Sequence, residues 1–488
     1  MISINAHEIV LDKTERLEAW IPYGQVVQLA MDFIKNCPKE VGNGLPWYLQ
    51  YSCFWIDPIR PTIWPDNPAG KFAWAVTTLL KYYPYSGDES YIALVRSMLE
   101  RLWQYRTPLE FNWSGIPYAS AEPGTGVYGG ARADGKFVTE PDKVAQVGRA
   151  YLDFYQMTGE DQFRQMGSYC AQVLYEKLRP GDQFHSPLPF RVNAQDGTVI
   201  EEYTAHMIPM VRLLDEMIRL GEKDFQTSRD QVWEWIKHYP LKNNIWKGYF
   251  EDIRVDVENK NRDQVSPLET AKYILAHKDQ VQDWKTQVKN LIDWVKNTLG
   301  AATFFSAIPI HEQQFCYFVM GSHTARFANL CALYAEQSSD SDYREMALRS
   351  FNWATYMANE DGTVTVGVDR PDYFNQCWFT DGYFDYVPHF IDGMAALPEK
   401  APANENHLLR STNVVQSIHY ADKRITYRTN SETGGQRLRL SFEPKKIVAD
   451  GKAIIRMDIL ESEPGWVLGD IPFVVDIQPA AREVEIVG

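Results

Sequence analysis

Carboxyl groups gather where this sequence passes from loop into helix. Asp381 and Asp385 stand four apart at the start of one helical segment, so both can face one side. Glu140 and Asp142 flank Pro141 at the start of another, and Glu251-Asp252 follows Gly248-Tyr249-Phe250. One protonated and one ionised carboxyl group make an acid–base pair. Acidic residues are also ordinary helix caps, stabilised by the helix dipole. Ser266-Pro267-Leu268-Glu269 reads as a capping box with proline at the first helical position, which makes Glu269 structural. Asp381 is the first choice for a catalytic carboxylate, with Glu140, Asp142, Glu251 and Asp252 as its candidate partners.

The cationic candidates lie elsewhere. His323 and Arg326 fall within Phe315–Leu330, an apolar run that reads as a buried helix, where polar side chains need partners. Three apart on one face, and joined by Arg191, they are suited to bind a carboxylate; a neighbouring acid of the chain itself is the competing partner. His323, His389, Tyr383 and Tyr386 are possible bases for taking a proton from carbon. Trp55, Trp113, Trp246, Trp378 and Tyr383 fall in or beside stretches read as loops, in a chain that is 13% aromatic. Aromatic faces mixed with carboxylates and amides suit the C–H surfaces and hydroxyls of a sugar better than an apolar cofactor pocket suits them.

Groups scattered over three hundred positions need a scaffold that gathers them. Helical periodicity is read near 22–36, 69–84, 88–106, 141–158, 161–178, 201–220, 227–238, 266–277, 281–299, 314–337, 341–358 and 381–397. A short turn recurs between members of a pair: Gly87-Asp88-Glu89-Ser90-Tyr91, Thr158-Gly159-Glu160-Asp161, Gly221-Glu222-Lys223-Asp224-Phe225 and Ser339-Asp340-Ser341-Asp342-Tyr343, with a degraded copy at Lys278-Asp279-Gln280-Val281. The repeat length of about sixty residues suits a helix pair plus a long loop. The connections 37–68, 107–140, 179–200, 239–265, 300–313 and 359–380 are long, and long loops in compact domains are usually functional.

Twelve helices in six hairpins, with short turns on one side and long aromatic loops on the other, resemble the (α/α)6 barrel of the six-hairpin glycosidase superfamily. The resemblance covers roughly residues 20–400 and rests on architecture. It implies a carbohydrate-active enzyme whose sugar site lies on the long-loop face near the barrel axis. The expected activity is glycoside hydrolysis of an oligo- or polysaccharide by paired carboxylates, with uronic-acid-containing glycans among the candidates. A lyase or uronate epimerase using His and Tyr is the alternative, and a glycan-binding protein without turnover the second.

After Pro398 the pattern changes to short alternating segments, with a hairpin signal at Asp450-Gly451. The expected organisation is a barrel over 1–400 and a small all-β, sandwich-like domain over 407–488. The 488 residues carry a net charge of −15, which argues against nucleic acid as a ligand. The six cysteines show no metal-ligand spacing, so buried thiols and no metal or other cofactor are expected. No apolar run is long enough to span a membrane, and the N-terminal residues lack a signal-peptide pattern. That fits either a cytoplasmic protein or an exported one whose signal has been replaced.

Overall fold

The computed structural model describes residues 7–37, 53–56, 60–63, 68–104, 106–117, 127–128, 135–250, 261–315, 318–368, 377–460 and 463–488. Twelve α-helices run through these residues: α1 (Tyr23–Asn36), α2 (Pro68–Ser86), α3 (Ser90–Gln104), α4 (Pro141–Thr158), α5 (Asp161–Glu176), α6 (Ile208–Arg219), α7 (Gln226–Ile236), α8 (Val265–Ala276), α9 (Trp284–Leu299), α10 (Gly321–Ser338), α11 (Ser341–Thr355) and α12 (Val387–Ala396). The even-numbered helices form an inner ring in which each packs on the next and α12 packs back on α2. The odd-numbered helices lie outside, each against its partner, with α1 completing the sixth pair against α12. The ring is therefore closed, and the fold is an (α/α)6 barrel.

Side-chain pattern decides which helix goes inside. Helix α10 is buried on all sides from Gly321 to Ala335, as expected for a helix surrounded by others. Outer α9 buries only Val288, Leu291, Ile292, Val295 and Leu299, a single stripe at helical spacing. The recurring turn has a stereochemical basis. Gly159 ends α4 at φ 76° and Ser339 ends α10 at φ 62°, the left-handed conformation that closes a helix. The apolar residue after each turn is then carried inward: Tyr91, Phe163, Phe225, Val281 and Tyr343 are all buried.

Three inner helices start later than their periodicity predicts. Residues before α6 form a three-stranded sheet, Val138–Thr139 with Arg191–Asn193 and Val199–Glu201. Residues before α10 form the pair Ile310–His311 and Val319–Met320, so Phe315 lies outside the helix and is exposed. A π-helical segment, Phe379–Phe384, precedes α12. On the loop face, Cys377–Trp378 pairs with Cys53–Ile56, tying the last long loop to the first.

The C-terminal residues form a nine-stranded sheet from His407–Ser411 to Glu483–Val487. Asp450 and Gly451, at φ 44° and 78°, make the expected hairpin turn. The sheet curls so that strands remote in its order face each other: Tyr427 Oη donates to Gln436 Oε1 (3.2 Å), and Leu408 N donates to Tyr420 Oη (2.8 Å). This β domain seats on the short-turn face, at the C-terminal ends of α2, α4, α10 and α12. Arg437 pairs with Glu336, Gln416 Nε2 donates to Gln156 O, and His407 stacks on Tyr85 at 4.0 Å. Cys37, Cys170 and Cys331 are buried and in no disulfide. Among the described residues no helix is long and apolar enough to cross a membrane.

Candidate active site

Each long loop delivers its last residues to the start of an inner helix, and these starts converge on the barrel axis. Pro141 opens α4, and Asp142 in its first turn is wholly buried. Asp142 Oδ2 accepts from Lys143 Nζ (2.8 Å) and from Nδ1 of His206, just ahead of α6 (3.0 Å). Burial pushes this carboxyl up, but Lys143 and His206 outweigh it and hold Asp142 below the ordinary carboxylate range. Burial depresses His206 more than Asp142 raises it, so the imidazole is neutral. Its Nδ1–H then points at the carboxylate, and its Nε2 carries the lone pair. Lys143 Nζ sits 3.9 Å above the Tyr249 ring.

The opposite wall is built from α8, α10 and α12. Arg326 is buried and donates to Glu269 Oε1 (2.6 Å) and to Asp385 Oδ1, with its guanidinium 4.4 Å over the Trp74 ring. Glu269 also accepts from Arg212 (2.6 Å); burial opposes its ionisation, but the two arginines hold it far below the usual glutamate value. Asp385 accepts from His389 Nε2 (3.0 Å) and faces His323 Nε2 at 3.9 Å. The Nδ1 of His323 meets the Gln264 amide. Burial and then the charge of Arg326 drive His323 well below its ordinary value, and burial, Arg326 and Lys272 do the same to His389. Tyr249 and Phe250 link the walls: ring centroids are 4.6 Å apart from His206 to Tyr249, 5.0 Å on to Phe250, and 6.0 Å on to His323.

The expected site residues fall into three groups. Asp142, His323 and Arg326 belong to this axial cluster, beside Glu140 and Arg191, which are buried 3.3 Å apart. Glu140 makes no side-chain cap. Arg191 faces Glu140 and Glu201, and Arg326 faces Glu269 and Asp385, so both guanidiniums are matched by acids of the chain itself. Trp113, Trp246 and Tyr383 depart from the expected subsite role because each is packed away. Trp246 and Tyr383 are wholly buried, the latter stacked on Phe33 of outer helix α1 at 5.1 Å. Trp113 is buried at the outer rim of the loop face, beneath Lys177 at the end of α5. Glu251, Asp252 and the side chains of Trp55, Trp378 and Asp381 lie outside the described residues; the backbones of Trp55 and Trp378 occupy neighbouring strands.

Glu269, read as a structural capping residue, is misplaced by the sequence, and Asp385, read as able to face one side with Asp381, reaches the cluster without having been given a catalytic or binding role. Helix α8 begins at Val265, and Asp263 Oδ1, not Ser266, accepts the capping bond, from Ser266 N (2.7 Å). That moves Pro267 inside the first turn and frees Glu269 from the capping box to meet Arg326. A signal for both existed. Polar partners on neighbouring inner helices are separated by one repeat: 64 residues for His206–Asp142, 59 for Gln264–His323, 57 for Arg326–Glu269 and 59 for Arg326–Asp385. Buried Asp263 is pushed up to about 6 by desolvation. Among the described residues no group of His, Cys, Asp and Glu could hold a metal ion.

No family model matches the chain, and no curated protein does. Solved structures do. A D-mannose isomerase aligns at a TM-score of 0.57 and 12% identity, over 78% of this chain and 96% of that one. A sugar epimerase from a ruminal bacterium aligns at 0.54 and 10%, over 78% and 98%. A family 76 glycoside hydrolase from a bovine Bacteroides thetaiotaomicron strain aligns at 0.50 and 9%, over 78% of each chain. These likenesses establish a shared (α/α)6-barrel fold.

Proposed function

We propose that this chain is a carbohydrate-active enzyme that moves a proton on a reducing sugar, an isomerase or epimerase. The observation that carries this reading is the pair of neutral, buried imidazoles on opposite walls of the axis. Asp142 holds His206 with Nδ1–H inward and leaves the Nε2 lone pair as the base, the arrangement an acid uses to orient a catalytic histidine. His323, with Arg326 and Asp385 beside it, is the second acid–base group. In epimerisation one imidazole takes the proton from the carbon next to the sugar carbonyl, and the other returns a proton to the opposite face of that same carbon. In isomerisation the proton goes instead to the former carbonyl carbon, while a second proton passes from the neighbouring hydroxyl to the carbonyl oxygen. The isomerase and epimerase among the structural neighbours support the same chemistry.

Hydrolysis is the second reading. Asp263, pushed up to about 6, is a carboxyl that stays partly protonated near neutral pH, and one neighbour is a glycoside hydrolase. Asp381 remains its proposed partner. Glu140 and Asp142 suit the protonated role poorly, because buried cations stand beside both. Uronate recognition would need a cation beyond Arg191 and Arg326, whose charges acids of the chain already meet.

One experiment separates the readings. D-mannose, D-glucose and cellobiose are incubated with the protein in D2O and followed by proton NMR, beside a polysaccharide panel assayed for reducing ends and unsaturated uronates. Interconversion with deuterium entering beside the carbonyl is expected. Reducing-end release without exchange would replace the isomerase reading with hydrolysis, and ultraviolet absorbance would replace it with elimination.

A further inference from the structure

The axis stays ionic below the site. Asp392, two turns beyond Asp385 on the α12 side, accepts from Lys81 of α2 and from Lys272 of α8 (2.8 Å), helices on opposite sides of the inner ring. Asn329 of α10 places its Nδ2 3.4 Å from Asp392 Oδ2 and 3.3 Å from His389 Nδ1. His389 Nε2 in turn lies 3.0 Å from Asp385 Oδ1. Asn329, His389 and Asp385 are buried, and the Asp392 side chain is 12% exposed.

Proton counting gives this chain a direction. An ionised carboxylate only accepts, so the Nε2 of His389 carries the hydrogen toward Asp385. The neutral ring then has its lone pair at Nδ1, which needs a donor, and the Asn329 amide supplies one. A flipped amide would set Oδ1 3.4 Å from the Asp392 carboxylate and opposite an unprotonated nitrogen, so three acceptors would face one another. The observed orientation leaves Asn329 Oδ1 buried without a partner, which is unfavourable, and still avoids that clash of acceptors. Asp392 is pinned from two sides by lysines and cannot turn away.

We propose that Asp392 and Asn329 are positioning residues that lock His389 as its Nε2–H tautomer and so hold the Asp385 carboxylate in place between Arg326 and His323. The proposal rests on the acid–base role given to His323 above. It assigns His389 a fixed donor's part instead of that of a base.

Nitrogen NMR of histidine-labelled protein, with the His389 signals assigned by their loss in His389→Gln, reads the tautomer directly. The wild-type spectrum is expected to show a protonated Nε2 and an unprotonated Nδ1 at neutral pH. A proton on Nδ1 overturns the proposal, whatever the variants do. Asn329→Leu removes the donor at similar volume. It should broaden the His389 signals as the ring loses its anchor at Nδ1 and lower kcat about tenfold to a hundredfold at similar KM, as losing an orienting partner does elsewhere. Asn329→Asp offers an acceptor and should leave both nitrogens protonated. An Asn329→Leu protein with the wild-type spectrum and wild-type kcat also overturns the lock. The expected spectra from a protein that converts no sugar would leave the lock standing and remove the isomerase reading, whereas turnover with an Nδ1–H spectrum would do the reverse.

Discussion

His206 is the residue on which activity is most cleanly tested. Its described contacts give Nδ1 one acceptor and leave Nε2 without a hydrogen-bond partner, so His206→Asn removes a base while keeping an N–H donor for Asp142. Turnover should fall about a hundredfold to ten-thousandfold with the circular dichroism spectrum unchanged; near-normal turnover would take His206 out of the mechanism. The same burial has a cost at low pH. His206, His323 and His389 have folded values below the ordinary 6.5, so the unfolded chain binds more protons once pH falls under that value. Stability should therefore decline on acidification from pH 6.5, by about 1.4 kcal/mol per pH unit for each imidazole still neutral. Asp142 and Glu269 act in the same sense at lower pH, since a depressed carboxyl loses its contribution as pH falls through its folded value. Urea midpoints at pH 7.5 and 5.5 check this, and equal midpoints would mean that the imidazoles are not held neutral.

Arg326 joins three inner helices, pairing with Glu269 of α8 and with Asp385 at the threshold of α12. Removing one member of a buried ionic set strands the others in a medium that solvates them poorly. Arg326→Met should therefore cost about 3–5 kcal/mol in urea unfolding; a loss under 1 kcal/mol would show that the set contributes little to holding these helices. Helix ends offer the opposite test. Ser339 occupies the left-handed position that Gly159 fills in the equivalent turn. A side chain there costs about 1–2 kcal/mol, part of which glycine's backbone entropy takes back. Ser339→Gly is expected to raise stability by about 0.5–1 kcal/mol, read as a higher melting temperature. At this scale the sequence is highly legible for short turns and poor for long loops. Gly and Asp encode a turn in five residues, whereas the segments before α6, α10 and α12 carry apolar periodicity that short strands and a π-helical segment take up instead.

Ring closure depends on contacts between residues hundreds of positions apart. Helix α12 fits because Gly393 lets it approach α11; a Cβ there would lie 2.5 Å from Phe351 Cζ. Gly393→Leu would force this seam apart and should cost at least about 1–3 kcal/mol, the range for overpacking a dense core. The β domain secures the short-turn face where the axis would otherwise open, through Glu336–Arg437 and the stacked Tyr85–His407 pair. The ionic column from Asp142 to Asp392 is enclosed between that domain and the loop face. Low-dielectric surroundings of this kind strengthen each of its pairings.

Sequence alone determined the repeat, the six helical pairs, the apolar residue after each turn and the change to β-structure after Pro398. Each of these is written in spacing that neighbouring residues impose on one another, so a local reading suffices. The site is different. Whether Arg326 meets a ligand or Glu269 and Asp385, whether Asp142 is a cap or the partner of His206, and whether Trp246 lines a cleft or fills the core all depend on which residues face each other across the ring. A buried charge is satisfied by whatever lies within about 3 Å of it, and only the closed barrel decides what that is.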